Sequence, residues 1–220
     1  GIHSDVSLTI DNGTIGSWKT DSEGNLIPDT DTGALGGTAA KGKKGGDGIY
    51  SDSLAISNNA AITNAKGGTG TDGTGGNGIH GEDVFTISGG TIGTAQGGSG
   101  MYGGHGIYSH KDLTMEAGSN IGTAKGGSGK SGSGGYGISS KGTLTLKEGS
   151  TIEKAQGGDS TGSNGIYRKG GDGIHSDNLK IEGGKIEQAI GGTATGKDGR
   201  GGDGICTNLD LSISKGSAPS

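Results

Sequence analysis

Asp47, Asp172 and Asp203 each stand third in a Gly-Gly-x-Gly-Ile run, a setting in which a carboxylate can serve a hard cation. Asn77, His105 and Tyr136 fill the same place in other runs, and Asp52 and Asp177 lie five residues beyond Asp47 and Asp172. Calcium gathers about six to eight oxygens from carboxylates, backbone carbonyls and water. If Asp172 and Asp203 sit on adjacent turns of a repeat, both can face one ion, and without a cation they would repel. The pattern therefore predicts bound calcium at Asp47, Asp52, Asp172, Asp177 and Asp203. The competing expectation is an Asp that hydrogen-bonds the backbone of its own turn. The run GGDGIHSDN also approaches the calcium nonapeptide GGxGxDxUx, but His175 stands where that motif needs Asp.

A second row of chemistry follows each Gly-Ile pair: His3, Tyr50, His80, Tyr108, Ser139, His175 and Cys206. On a strand this residue points opposite to the Ile, hence outward. Aromatic faces can pack on sugar C–H groups while imidazole and phenol supply hydrogen bonds. Tyr50, His80, Tyr108 and His175 are thus the first candidates for glycan binding, and Trp18 the second. A purely stabilising aromatic ladder is the alternative. Metal binding by the His alone is disfavoured, because Tyr separates them in successive repeats. A third outward row, Thr9, Thr86, Thr114 and Thr145, suits ice-type water ordering, but Ala55, Lys180 and Ser212 interrupt it. No nucleophile–base pair occurs at a recognisable spacing. Asp172, Asp203 and Arg200 imitate the set a polysaccharide lyase would need, an acidic-sugar site with a base. The sequence reads as non-catalytic.

These residues are positioned by a repeat. Gly-Ile anchors end at Ile2, Ile49, Ile79, Ile107, Ile138, Ile174 and Ile205, at intervals of 47, 30, 28, 31, 36 and 31 residues. Such a period marks a solenoid or array. Within each repeat a Leu-x-Ile pair follows, as in Leu54/Ile56, Leu144/Leu146 and Leu179/Ile181, with both side chains on one strand face. A further Ile comes next (Ile62, Ile92, Ile121, Ile152, Ile186), then Ala three residues later, then a Gly-rich return. No segment has helical periodicity. Three short strands per coil with glycine corners predict an all-β fold. It is a right-handed parallel β-helix of about seven coils, with inward ladders of Ile, Leu and Ala.

Composition supports this. Of 220 residues 56 are Gly, and apolar residues make up only 26%, too few for an ordinary globular core but enough for a narrow stack. Two Pro and no Gly-X-Y period exclude collagen. The apolar residues keep fixed places, which a disordered linker would not need. A net charge of −5 without a basic stripe argues against nucleic acid. No apolar run is long enough to cross a bilayer. Cys206 is the only cysteine, so no internal disulfide forms.

The repeat covers residues 1–216 as a single domain, with 217–220 as a tail. An insertion at 17–33, SWKTDSEGNLIPDTDTG, interrupts the first coil and holds the only Trp. A lengthened loop at 157–173 contains Gly165-Ile166-Tyr167, a partial second anchor. Insertions in solenoids map to loops on one face. The Gly-rich returns are expected to stack as an ordered layer. The chain opens inside a repeat, as expected of a segment of something longer.

The string GGDGIHSDNLKIEGGKI resembles the repeat of the clostridial secreted carbohydrate-binding β-helix family, in which Gly-Ile, a small residue with Asp, then L-x-I-x-GG-x-I recur. The likeness runs from Gly46 to Gly192. It implies a right-handed β-helix, secretion to the bacterial surface, bound calcium and affinity for acidic or plant-type polysaccharide. Similar repeats occur in autotransporter passengers and adhesins, which adds a passive stalk or a filament that associates end to end as an alternative.

Overall fold

The computed structural model describes residues 1–162, 168–196 and 198–215, and among them there is no helix. The chain is a parallel β-solenoid. Its anchors pair in one register: Ile2 with Ile49, Ile49 with Ile79, Ile79 with Ile107, Ile107 with Ile138, Ile138 with Ile174 and Ile174 with Ile205. Seven such rungs enclose about six complete turns. The partial anchor at Gly165-Ile166-Tyr167 and the 217–220 tail lie outside the described residues.

Among the described residues the solenoid has two parallel sheets rather than the three expected. The Gly-Ile and Leu-x-Ile segments join into one long strand, unbroken in Ile49–Ser57, Ile138–Lys147, Ile174–Glu182 and Ile205–Ser214. In two turns a short gap splits it, into Ile79–Gly81 with Phe85–Ser88 and Ile107–Ser109 with Leu113–Met115. The second, shorter sheet stacks Ala61–Lys66, Thr91–Gln96, Asn120–Lys125, Thr151–Gln156 and Lys185–Ile190. Between the sheets the chain reverses through left-handed residues. Asn58 and Asn59 (φ 51° and 63°) do in one turn what Gly89 (φ 68°) does in the next.

Between the sheets lies the apolar core. Ile49, Ile79, Ile107, Ile138 and Ile174 form one ladder, Leu54, Phe85, Leu113, Leu144 and Leu179 a second, and Ile62, Ile92, Ile121 and Ile152 a third, all with essentially no exposure. Each such side chain contributes about 1.5–3 kcal/mol of burial. Ala65, Ala95, Ala124 and Ala155 fill the narrow end. In the last rung Ile205, Leu211 and Ile213 are exposed, as no described rung covers them.

The third side of the coil holds no regular strand. The outgoing and returning legs of each glycine loop press together as a spine. Backbone N–H groups donate in relay: Gly46 to Gly37, Gly68 to Gly46, Gly76 to Gly68, Gly98 to Gly76, Gly104 to Gly98, Gly127 to Gly104 and Gly135 to Gly127. Gly158 to Gly135, Gly171 to Gly158, Gly192 to Gly171 and Gly202 to Gly192 complete it, all at 2.7–2.9 Å. The neighbouring glycine of each pair bonds along the stack instead, as Gly75 does to Tyr102 O and Gly103 to Ser133 O. A Cβ on Gly76 would overlap the carbonyl of Gly46, and one on Gly98 the carbonyl of Gly68. Glycine is required here by close backbone approach, not by positive φ. The expected ordered layer of returns is thus present, built from backbone alone.

The insertion at 17–33 folds as an antiparallel hairpin, Trp18–Thr20 against Leu26–Pro28. Asp21 closes its tip by accepting the N–H groups of Glu23 and Asn25. Asn64 Nδ2 ties its return to the shorter sheet through the carbonyls of Thr30 and Thr32. After it, Ala34–Leu35 rejoins the solenoid beside Ala65 and Lys66.

Candidate functional site

The residues after the anchors stack in register, His3 on Tyr50, Tyr50 on His80, His80 on Tyr108, Tyr108 on Ser139, Ser139 on His175 and His175 on Cys206. Ring centroids are 4.6 Å apart for His3–Tyr50, 4.9 Å for Tyr50–His80 and 4.8 Å for His80–Tyr108. Ser139 has no ring, and there the row sidesteps to the Gly-Gly-x position. Tyr108 meets His105 at 5.3 Å, His105 meets Tyr136 at 5.0 Å and Tyr136 meets His175 at 4.4 Å. The outcome is one ribbon of rings spanning the turns from His3 to His175.

Polar tips of the ribbon are engaged from within. The Tyr50 hydroxyl donates to Asp52 Oδ1 at 3.2 Å, and the Tyr108 hydroxyl lies 2.9 Å from His110 Nδ1. His80, 7% exposed, has Nδ1 3.0 Å from Asp47 Oδ2, while its Nε2 sits 3.0 Å from Glu82 Oε1 without hydrogen-bond geometry. His175 Nδ1 meets Asp172 Oδ2 at 2.9 Å. His3–Tyr50, Tyr108–His105, His105–Tyr136 and Tyr136–His175 stack face to face, whereas His80 meets Tyr50 and Tyr108 edge to face, so ring faces and edges in the ribbon are largely taken up by neighbouring rings.

The Gly-Gly-x side chains do a job the sequence did not reveal. Four of the six accept the backbone N–H of the equivalent residue one turn on, Tyr136 being an exception. Asp47 accepts from Asn77, Asn77 from His105, His105 Nδ1 from Tyr136 and Asp172 from Asp203. Asp, Asn and His share this place because each offers an acceptor at that reach. Packing between the rings of Tyr108 and Tyr136 withdraws His105 from water and, with the charge of Lys44, pushes its imidazole down to about 4. That suits a ring nitrogen that accepts a backbone hydrogen bond.

Of the five carboxylates expected at calcium, Asp172 and Asp203 are brought together, with an ammonium between them. Lys169 Nζ lies 2.8 Å from Asp172 Oδ1 and 3.3 Å from Asp203 Oδ2. Lys44 plays a similar part for Asp47 at 3.1 Å. Desolvation works to raise the Asp172 carboxyl, but hydrogen bonds from His175, Lys169 and the Asp203 N–H outweigh it and hold it at about 2. Asp47 is likewise lowered against its burial, by His80, Lys44 and the Asn77 N–H. Asp52 serves Tyr50, and Asp177 accepts from Asn208 at 2.8 Å. Arg200 pairs with Lys169 through backbone. Against Asp172, beside His175, lies the Cys206 thiol, which desolvation and the Asp172 charge push up.

Trp18 lies on the other sheet. Its hairpin lies over the shorter sheet, and Trp18, Leu26, Ile27 and Pro28 together wall a groove. The floor comes from three successive strands: Thr91, Gly93 and Thr94, then Asn120, Gly122 and Thr123, then Glu153. Gly93 admits the wall, since a methyl there would come within 2.8 Å of Pro28 Cγ and 3.2 Å of Trp18 Cη2. Trp18 remains 38% exposed and Leu26 72%. Asn120 Nδ2 donates to Glu153 Oε1 at 2.9 Å, while Asn120 Oδ1 has no donor among the described residues. An indole wall over a floor of hydroxyls, amide and carboxylate is an arrangement that can pack on a sugar ring and bond its hydroxyls.

The outward Thr row stacks as expected, Thr86 on Thr114 on Thr145, with Ala55 and Lys180 at its breaks. Compared with known proteins, the chain matches no family model, no curated protein and no solved structure.

Proposed function

We propose that this chain is a non-catalytic, extracellular β-solenoid module that binds polysaccharide, and that the Trp18 groove is where the sugar sits. The observation behind this reading is the contrast in engagement. The ribbon rings are packed on one another, whereas the Trp18 ring stands half-exposed over a polar floor. The resemblance of the repeat to clostridial secreted carbohydrate-binding β-helices points to the same ligand class. The groove crosses three strands of the stack, which suits an extended chain better than a single sugar. In this reading Lys44 and Lys169 supply the positive charge that calcium would otherwise bring to Asp47, Asp172 and Asp203.

Retention in gels loaded with neutral and acidic plant or bacterial polysaccharides tests the proposal. Wild-type chain is expected to be slowed by at least one of them and Trp18→Ala by none. Equal retention of the two would remove the groove from the account. A second reading, a passive stalk that associates end to end, rests on the unbroken register of the rungs from Ile2 to Ile205. Concentration-dependent association in sedimentation, abolished by Leu211→Lys with Ile213→Lys, would support it.

A further inference from the structure

We propose that Asp172, His175 and Cys206 form a site for one divalent transition-metal ion of the zinc class. The inference stands apart from the glycan reading, because the site lies on the ribbon side of the solenoid and the Trp18 groove on the shorter sheet. One ligand atom from each residue lies within 4.8 Å of the others. A tetrahedral zinc with bonds of about 2.0 Å to N and O and about 2.3 Å to S has ligand–ligand edges of about 3.3–3.5 Å. Small side-chain adjustments therefore suffice.

The backbone holds the set in place. His175 and Cys206 are register partners on adjacent rungs, and Asp172 precedes the same anchor as His175. Asp172 is fully buried and anchored through Oδ1, which accepts from Lys169 Nζ and from the Asp203 N–H, both at 2.8 Å. Its Oδ2 faces His175 Nδ1 at 2.9 Å, so the oxygen and nitrogen already converge. The Tyr136 ring, 4.4 Å away and 4° from parallel, fixes the imidazole plane. The Asn208 Nδ2 lies 3.4 Å from Nε2 and suits the metal-free tautomer; once Nε2 carries the proton this amide has to turn away or present its oxygen.

One thiolate, one imidazole and one carboxylate are a borderline donor set, which suits zinc or cobalt(II) over calcium or magnesium. On binding, the Sγ–H bond breaks and its proton leaves to solvent. The imidazole moves its proton from Nδ1 to Nε2, freeing Nδ1 for the metal. Thiolate and carboxylate then balance the two positive charges, and water fills the fourth position. Lys169 remains on Oδ1 and opposes the ion by charge alone.

Cobalt(II) titration of the full chain, followed by absorption, tests the site. One ion per chain should bind, with a thiolate-to-cobalt charge-transfer band that zinc abolishes. Cys206→Ser should erase the band, His175→Gln should weaken uptake about tenfold or more, and Lys169→Met should tighten it. Circular dichroism of each variant establishes that the solenoid is intact. As a check free of mutation, equimolar zinc should slow alkylation of Cys206 by iodoacetamide in the wild-type chain. Cobalt uptake without the thiolate band, or an alkylation rate indifferent to zinc, would overturn the proposal.

Discussion

The two outward faces of the solenoid treat their aromatic residues in opposite ways. On the long sheet, rings from His3 to His175 pack on one another, face to face or edge to face, and Asp47, Asp52 and Asp172 occupy polar tips. On the short sheet, Trp18 is carried out on a hairpin and held beside Thr, Asn and Glu side chains with 38% of its surface exposed. The difference follows from how each residue enters the fold. A residue repeated on every rung meets its own equivalent about 4.8 Å away and is satisfied by it. A residue that arrives once, in an insertion, has no equivalent to stack on. In a solenoid, repetition therefore favours stability, and the exception to the repeat is the better place to look for a ligand.

The comparison can be broken most severely at the spine that supports both faces. Gly98→Ala would drive a methyl into the Gly68 carbonyl, next to strand Thr91–Gln96 under the groove and one turn from the ribbon. A loss of about 3 kcal/mol is expected, seen as a fall of the melting temperature and a loss of both faces together. Gly37→Ala is the control: nothing lies within 4 Å of a methyl there, and melting should hardly move. Ile107→Ala, in the apolar core, should cost about 2–4 kcal/mol while leaving the spine bonded. If Gly98→Ala melted like Gly37→Ala, close backbone packing would not be what demands glycine.

Acid separates the two faces more gently. His105 titrates near 6.5 in the unfolded chain and at about 4 when folded, so the unfolded chain binds the proton more readily between those values. Its contribution is complete above pH 6.5 and is lost as pH falls toward 4, a drop on the order of 3 kcal/mol for a shift from 6.5 to about 4. His105→Asn keeps an acceptor for the Tyr136 N–H, as Asn77 does for His105, and should flatten thermal stability across that window. An unchanged acid slope in this variant would place the sensitivity elsewhere. The smallest stability effect is expected from Tyr50→Ala with Tyr108→Ala, about 1 kcal/mol in all, since outward rings add little beyond their mutual packing.

Much of the fold was legible because inward side chains recur at fixed offsets. Ile107, Leu113, Met115, Ile121 and Ala124 could be assigned to the core from spacing alone, and all are buried. The count of sheets was not legible. Whether Ile49 to Ile56 runs as one strand or two depends on local bends that the same residue types tolerate either way, as the split at Phe85 shows. The spine was half legible. Glycine pairs were visible at Gly67-Gly68 and Gly75-Gly76, but that the two legs bond to each other is a long-range fact. The ribbon was read as one row, whereas its detour through His105 and Tyr136 needs the third dimension. Asp172 was singled out in one row and His175 and Cys206 in another. Only the register brings them together, and Lys169, which settles between Asp172 and Asp203, carried no signal beyond its charge.

The measurement that bears most directly on the central claim compares three chains in one polysaccharide-loaded gel: wild type, Trp18→Ala, and Tyr50→Ala with Tyr108→Ala. The account predicts that the ladder variant is retained like wild type and that Trp18→Ala migrates as though the polysaccharide were absent, with circular dichroism unchanged in all three. Retention lost in the ladder variant and kept in Trp18→Ala would contradict it and move the ligand to the ribbon.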